Sequence, residues 1–225
     1  MAMTPAFWFL RAPPREQPVE EASDSKHEII ICPADEGHRR GGPVVGGLSV
    51  MLDPSEVRDF VWTWGNDILV SQRVLDLFKK YRVTGFQPMP AKTSYPKTIT
   101  ARPPKLFEFV VTGWGGWAAL AAGVSLVESC PACGDKIYKI AEPSRLIDPA
   151  AWDGSDLFIV WPLPGYRFAS DRLATILRQE KVSGVELAPA PKLPAERGVR
   201  VAPATLTACM PKDRARELSQ RFGIS

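Results

Sequence analysis

The chain has 225 residues, of which 45% are hydrophobic and 24% charged, a balance that excludes wholesale disorder. Lys+Arg minus Asp+Glu is 28 − 25 = +3, so no global charge excess argues for nucleic acid or a membrane surface as partner. Twenty-two prolines and 17 glycines predict short elements joined by many turns rather than a helical bundle.

The N-terminal stretch MAMTPAFWFLRAPPRE has no basic leader followed by a long apolar stretch, so a secretory signal is not expected. Phe7 to Leu10 reads as a strand, Pro13 to Lys26 as an exposed loop, and Glu28 to Cys32 as a β-branched strand. Gly41 to Gly47 reads as loop and Leu48 to Leu52 as strand, and Asp53-Pro54-Ser55-Glu56 has the chemistry to cap a short helical turn.

An internal repeat organises the rest. Ser71 to Ala91 (SQRVLDLFKKYRVTGFQPMPA) and Ser170 to Ala190 (SDRLATILRQEKVSGVELAPA) align without a gap at an offset of 99. Six of 21 positions are identical: Ser71/Ser170, Arg73/Arg172, Val83/Val182, Gly85/Gly184, Pro90/Pro189 and Ala91/Ala190. Roughly one identity is expected by chance. At the same offset Val61-Trp62 falls on Val160-Trp161.

Each copy predicts a strand (Phe60 to Trp64; Leu157 to Trp161), a Ser N-cap and an amphipathic helix. Val74, Leu77, Phe78 and Leu173, Ile176, Leu177 stand at i, i+3, i+4 spacing. V-[TS]-G-[FV] then returns as a strand that a proline stops. The expected fold is α+β, with two pseudo-repeated β-α-β units sharing a core and a zinc-ribbon-like CxxC knuckle between them. Residues 1–92 hold the first copy, 93–155 the linker strands and knuckle, and 156–225 the second copy and a terminal helix, all in one compact domain.

Between the copies, Leu106 to Thr112 reads as extended, GWGGW as a glycine-rich loop and Lys136 to Ile140 as a strand. Beyond the second copy, Gly198 to Ala202 reads as a strand and Lys212 to Phe222 as a helix with Gly223 past its end. The longest apolar run, Gly115 to Val127, is about a dozen residues, short of the roughly 20 a spanning helix needs. No membrane association is expected, and a reducing cytoplasm is the expected setting.

Cys130-Pro131-Ala132-Cys133-Gly134 is a CPxCG knuckle, whose two thiolates can face one tetrahedral Zn²⁺. One knuckle is half a site. The other half can come only from Cys32-Pro33-Ala34-Asp35-Glu36-Gly37-His38, with Asp35 where a second Cys would fall. Three readings stand: a Cys₃His zinc site of Cys32, His38, Cys130 and Cys133; a site that has lost metal and keeps ordinary thiols; and a redox CxxC. The last lacks the helix that should follow the motif, because GDKIYKI continues as a strand. Cys209 stands alone and reads as a small buried hydrophobe.

The two histidines form no HExxH, and GxSxG, GxxxxGK[ST] and the dinucleotide fingerprint do not occur, so an enzyme is not expected. Of seven tryptophans, Trp114 and Trp117 in the glycine-rich stretch are the candidate exposed contact anchors for a partner.

From CPACG to the end of the second copy, the chain resembles the C-terminal half of the double-CxxCG immunity proteins. The shared order is CxxCG, then Leu146-Ile147-Asp148 and Asp156-Leu157-Phe158, then Ser170-Asp171-Arg172-Leu173, then Val182-Ser183-Gly184-Val185-Glu186-Leu187. Coverage runs from about Ser129 to Ala190, and the first knuckle departs from the pattern at Asp35. The resemblance implies a protein that binds and neutralises a cognate toxin without turnover. The +3 net charge offers no complementarity that would single out a nuclease as the target. The alternative is a zinc-knuckle nucleic-acid-binding or regulatory module, motivated by CPxCG, His38-Arg39-Arg40 and the basic helix ends.

Overall fold

A computed structural model of the chain describes residues 7–189, 198–202 and 205–224. The strands of its first half are β1 (Phe7–Arg11), β2 (Glu20–Glu21), β3 (Lys26–Ile30), β4 (Arg40–Val45), β5 (Ser49–Met51), β6 (Phe60–Trp62), β7 (Ile68–Ser71), β8 (Phe86–Pro90), β9 (Lys92–Ser94) and β10 (Leu106–Val111). The second half adds β11 (Trp114–Trp117), β12 (Val124–Ser129), β13 (Lys136–Ile140), β14 (Leu157–Trp161), β15 (Leu163–Ser170), β16 (Glu186–Ala188) and β17 (Val199–Val201). Helix α1 (Gln72–Lys80) follows β7, α2 (Asp171–Gln179) follows β15, and α3 (Thr205–Cys209) and α4 (Lys212–Phe222) close the described chain. The fold is α+β, with five sheets among the described residues.

The repeat appears as two matching sheets, ordered β6-β7-β10-β8 and β14-β15-β1-β16, with β11 added beside β14. Each copy is an antiparallel hairpin, a helix and a returning strand. The strand that separates the hairpin from the returning strand comes from elsewhere in the chain: β10 in the first copy, the N-terminal β1 in the second. The segment 1–92 therefore supplies a strand to the copy in 156–225, which ties the two ends of the sequence together.

The register corrects two expectations. Phe60 pairs with Val70 and Leu157 with Ala169, so Phe60 corresponds to Leu157 at an offset of 97. Val61-Trp62 therefore corresponds to Phe158-Ile159 rather than to Val160-Trp161. The first hairpin turns through Thr63–Asp67, while Pro162 alone joins β14 to β15. The returning strands begin at Phe86 and Glu186, not at Val83 and Val182. Pro88 and Pro90 lie inside β8, where an edge position spares the ladder the missing N–H. The last repeat position, Ala190, lies outside the described residues.

Both helices start and stop by the same chemistry. Ser71 Oγ accepts from Val74 N, and Ser170 Oγ from Leu173 N. Arg82 and Lys181 take the left-handed conformation just past the helix ends, and Val83 N and Val182 N return to the carbonyls of Phe78 and Leu177. That is a Schellman ending without its usual glycine.

The copies meet across a pseudo-twofold junction. Asp59, just before β6, accepts from Ser71 Oγ (3.0 Å), Arg73 (2.5 Å) and, across the junction, Ser183 N (3.0 Å) and Oγ (3.1 Å). Asp156, just before β14, repeats the pattern with Ser170 Oγ (2.9 Å), Arg172 (2.6 Å), Thr84 N (3.0 Å) and Thr84 Oγ1 (3.3 Å). Arg73 also reaches Glu180 O, and Arg172 reaches Tyr81 O. Gly85 and Gly184 make this approach possible: a Cβ on either would stand 2.0 Å from the carbonyl oxygen of Leu157 or Phe60. Behind the junction, Phe60, Val74 and Phe78 of one copy share a buried cluster with Leu157, Leu173 and Leu177 of the other.

Two stretches expected as loops are strands. Arg40–Val45 pairs with β3, and Trp114–Trp117 runs parallel to β14. Their glycines hid the pattern. Gly115 lies against Phe158 and Val160, where a side chain would collide. No helix among the described residues is long and apolar enough to cross a membrane.

Candidate metal centre

Two hairpins bring the cysteine knuckles together. Strands β3 and β4 pair antiparallel, and the turn between them carries Cys32 and a 3-10 turn, Glu36–His38. Strands β12 and β13 pair likewise, and their turn is Cys130-Pro131-Ala132-Cys133-Gly134-Asp135. That second turn is closed by Cys130 N to Asp135 O and by Gly134 N to Cys130 O, both 2.8 Å, with Gly134 at φ +69°. A left-handed residue at that point favours glycine. Strand β17 pairs with the outer side of β13.

At the tips, the ligand atoms of Cys32, His38, Cys130 and Cys133 all lie within 4.8 Å of one another. Cys32 Sγ and Cys130 Sγ are 3.9 Å apart, and Cys133 Sγ and His38 Nδ1 are 3.7 Å apart. A tetrahedral zinc with Zn–S of about 2.3 Å and Zn–N of about 2.0–2.1 Å requires edges of about 3.8 Å between sulfurs and about 3.6 Å from sulfur to nitrogen. Both observed edges fit. All four cysteines of the chain are free thiols in the structure.

Asp35, which stands where a second cysteine would complete the first knuckle, has another role. Its carboxylate accepts from Gly37 N at 2.8 Å, which caps the 3-10 turn. Its second oxygen lies 3.3 Å from His38 Nε2. A carboxylate on the far nitrogen fixes the imidazole so that Nδ1 faces the sulfurs, the arrangement that orients and strengthens metal-bound histidines. The sequence signal was a carboxylate three residues before the histidine, readable only once His38 is taken as a ligand.

The thiols are electrostatically unequal. Burial pushes the Cys133 thiol up, but the Asp135 N–H and hydrogen bonds from Cys32, His38 and Cys130 outweigh it and lower it to about 6. Cys32 is 3% exposed, and burial raises its thiol against the pull of the Ala34 N–H, 3.4 Å from its sulfur. Asp135, itself buried, accepts from Arg200 Nε at 2.5 Å. That pair fastens β17 to the second knuckle and places a cation near Cys133. Three cysteines and one histidine make a donor set suited to Zn²⁺, and four protein ligands leave no open position for a substrate, the pattern of a structural site.

The tryptophans divide. Trp114 is buried at 2% exposure against Phe222, which corrects its reading as an exposed anchor: the strand β11 turns it into the core. Trp117 is 42% exposed, edge-on to Trp161. Cys209 lies on α3, half-buried, its thiol raised by burial, and is not one of the clustered donors. Compared with known proteins, the chain matches no family model and no curated protein sequence.

Proposed function

We propose that the chain is a non-catalytic toxin-binding protein of the double-CxxCG immunity type, whose two hairpin tips are fastened by one zinc ion on Cys32, His38, Cys130 and Cys133. The observation that carries this reading is the meeting of the two knuckles. The stretch Cys32–His38, in which the family's second cysteine is Asp35, supplies two ligands to the site that Cys130 and Cys133 begin. Histidine replaces the missing thiolate, and the zinc-ribbon-like architecture is retained.

The proposed recognition surface is the stretch that leads from β11 into the second knuckle. Between β11 and the end of β12, Trp117 is 42% exposed, Leu120 99%, Leu126 54% and Val127 53%. A concentration of exposed apolar side chains in one short stretch supports a protein partner. Cells that express the chain should survive the cognate toxin encoded beside it, and the two purified proteins should form a complex burying at least ~1,000 Å². Undiminished killing in the presence of the folded chain defeats the proposal.

A further inference from the structure

A cavity of about 420 Å³ lies away from the zinc ligands, between the β7-β10-β8 sheet, β4 and the α3–α4 corner. Its charged wall holds Asp67, Glu108 and Arg167, and its apolar wall includes Met89, Phe109 and Met210. Lys212 lies on the same wall and is drawn toward Glu28, 3.9 Å away.

Arg167 is only 9% exposed, yet its one hydrogen bond among the described residues is Nη1 to Gly165 O at 2.9 Å, and no carboxylate stands within 4.0 Å of it. A guanidinium carries five N–H donors, and none of the Arg167 nitrogens is both buried and unpartnered, so those not bonded to Gly165 face accessible space, in a field shared with Asp67 and Glu108. The scaffold does not require Arg167. At the repeat offset Arg167 corresponds to Ile68 of β7, a buried residue that lines the same cavity. Glu108 has no hydrogen-bond or ion-pair partner among the described residues, and burial pushes its carboxyl up. Asp67 accepts from Thr63 Oγ1 at 3.2 Å and is likewise raised by burial.

We propose that this cavity binds a small zwitterion of the amino-acid class, its carboxylate received by Arg167, its ammonium by Glu108 and Asp67, and an apolar side chain by Met89, Phe109 and Met210. A simple anion would meet Arg167 but face two carboxylates. A simple cation would meet the carboxylates and leave Arg167 as it is. A ligand with both charges close together satisfies the two sides at once, and the cavity falls within the usual size range for small-molecule sites. The inference does not depend on zinc or on the toxin.

The test is calorimetric titration of the full chain with L-leucine and L-methionine, beside 4-methylpentanoate and isoamylamine, which each keep one of the charges. Saturable binding of at least one amino acid is expected, with the single-charge analogues about 10-fold weaker or more. Glu108→Gln should weaken amino-acid binding by a similar factor with its unfolding midpoint retained. Arg167→Lys, which keeps the charge but loses the planar fork, should weaken the carboxylate-bearing ligands and leave isoamylamine unaffected. No saturable binding of either amino acid up to about 10 mM, equal binding of the analogues, or an unchanged affinity in a folded Glu108→Gln protein each overturns the proposal.

Discussion

Replacing Asp156 with alanine tests the junction that joins the two copies. The Asp156 side chain is 7% exposed and receives four donors, two of them from Thr84 of the opposite copy. Its loss leaves the Thr84 N–H and Arg172 Nη1 without their acceptor, while Arg172 Nη2 keeps Tyr81 O. Hydrogen bonds to a charged group contribute about 1.5–3 kcal/mol each, and removing one partner of a buried pair costs about 3–5 kcal/mol. Arg172 is 51% exposed and rehydrates, so the low end applies, about 3 kcal/mol. For a chain of this size that lowers the melting temperature by about 6–12 °C. Asp59→Ala, at a carboxylate 14% exposed, should cost slightly less, about 2–3 kcal/mol. Asp213→Ala, at 97% exposure, is the control and should be neutral. Urea unfolding followed by circular dichroism gives the three values. If both junction variants lose less than about 1 kcal/mol while unfolding cooperatively, the reciprocal carboxylates do not hold the copies together.

Gly184→Ala and Gly85→Ala should each destabilise by several kcal/mol in the same assay, because each Cβ would stand 2.0 Å from a backbone oxygen; mild effects would mean the copies can separate without cost. Trp114→Ala should cost roughly 3–5 kcal/mol and Trp117→Ala about 1 kcal/mol or less, with toxin binding lost only in the second; the reverse order would refute the assigned burial. His27 is lowered by burial but raised further by Glu21, 2.6 Å from Nε2, and by the Gly42 carbonyl at Nδ1, so its folded pKa lies above the ordinary 6.5. A raised pKa gives stability that is complete below about pH 6.5 and fades as pH rises through the folded value. An NMR titration of His27 should show the upward shift, reduced in Glu21→Gln; a value at or below 6.5 in the parent chain contradicts the pairing.

The helices and their caps were legible because their signals are local: Ser71 and Ser170 as caps, and apolar residues three and four apart behind them. The sheets were less so. Nothing near Phe7–Arg11 announces that it will complete the second copy, since pairing across more than 150 residues is decided by the whole core. Glycine-rich β4 and β11 read as loops because glycine weakens the strand pattern, while in β11 it admits the side chains of β14. The cluster of Cys32, His38, Cys130 and Cys133 could be named from donor types alone. The role of Asp35 could not, because it depends on which way the His38 ring faces. The cavity around Arg167 left no sequence signal, its walls coming from distant strands and the α3–α4 corner.

Metal analysis of the purified chain tests the central claim most directly. About one zinc per chain is expected, lost in His38→Ala and in Cys133→Ser, and held about 10–100-fold more weakly in Asp35→Asn. A chain that is folded and free of zinc after purification without chelator, and that takes up none when zinc is added, would contradict it.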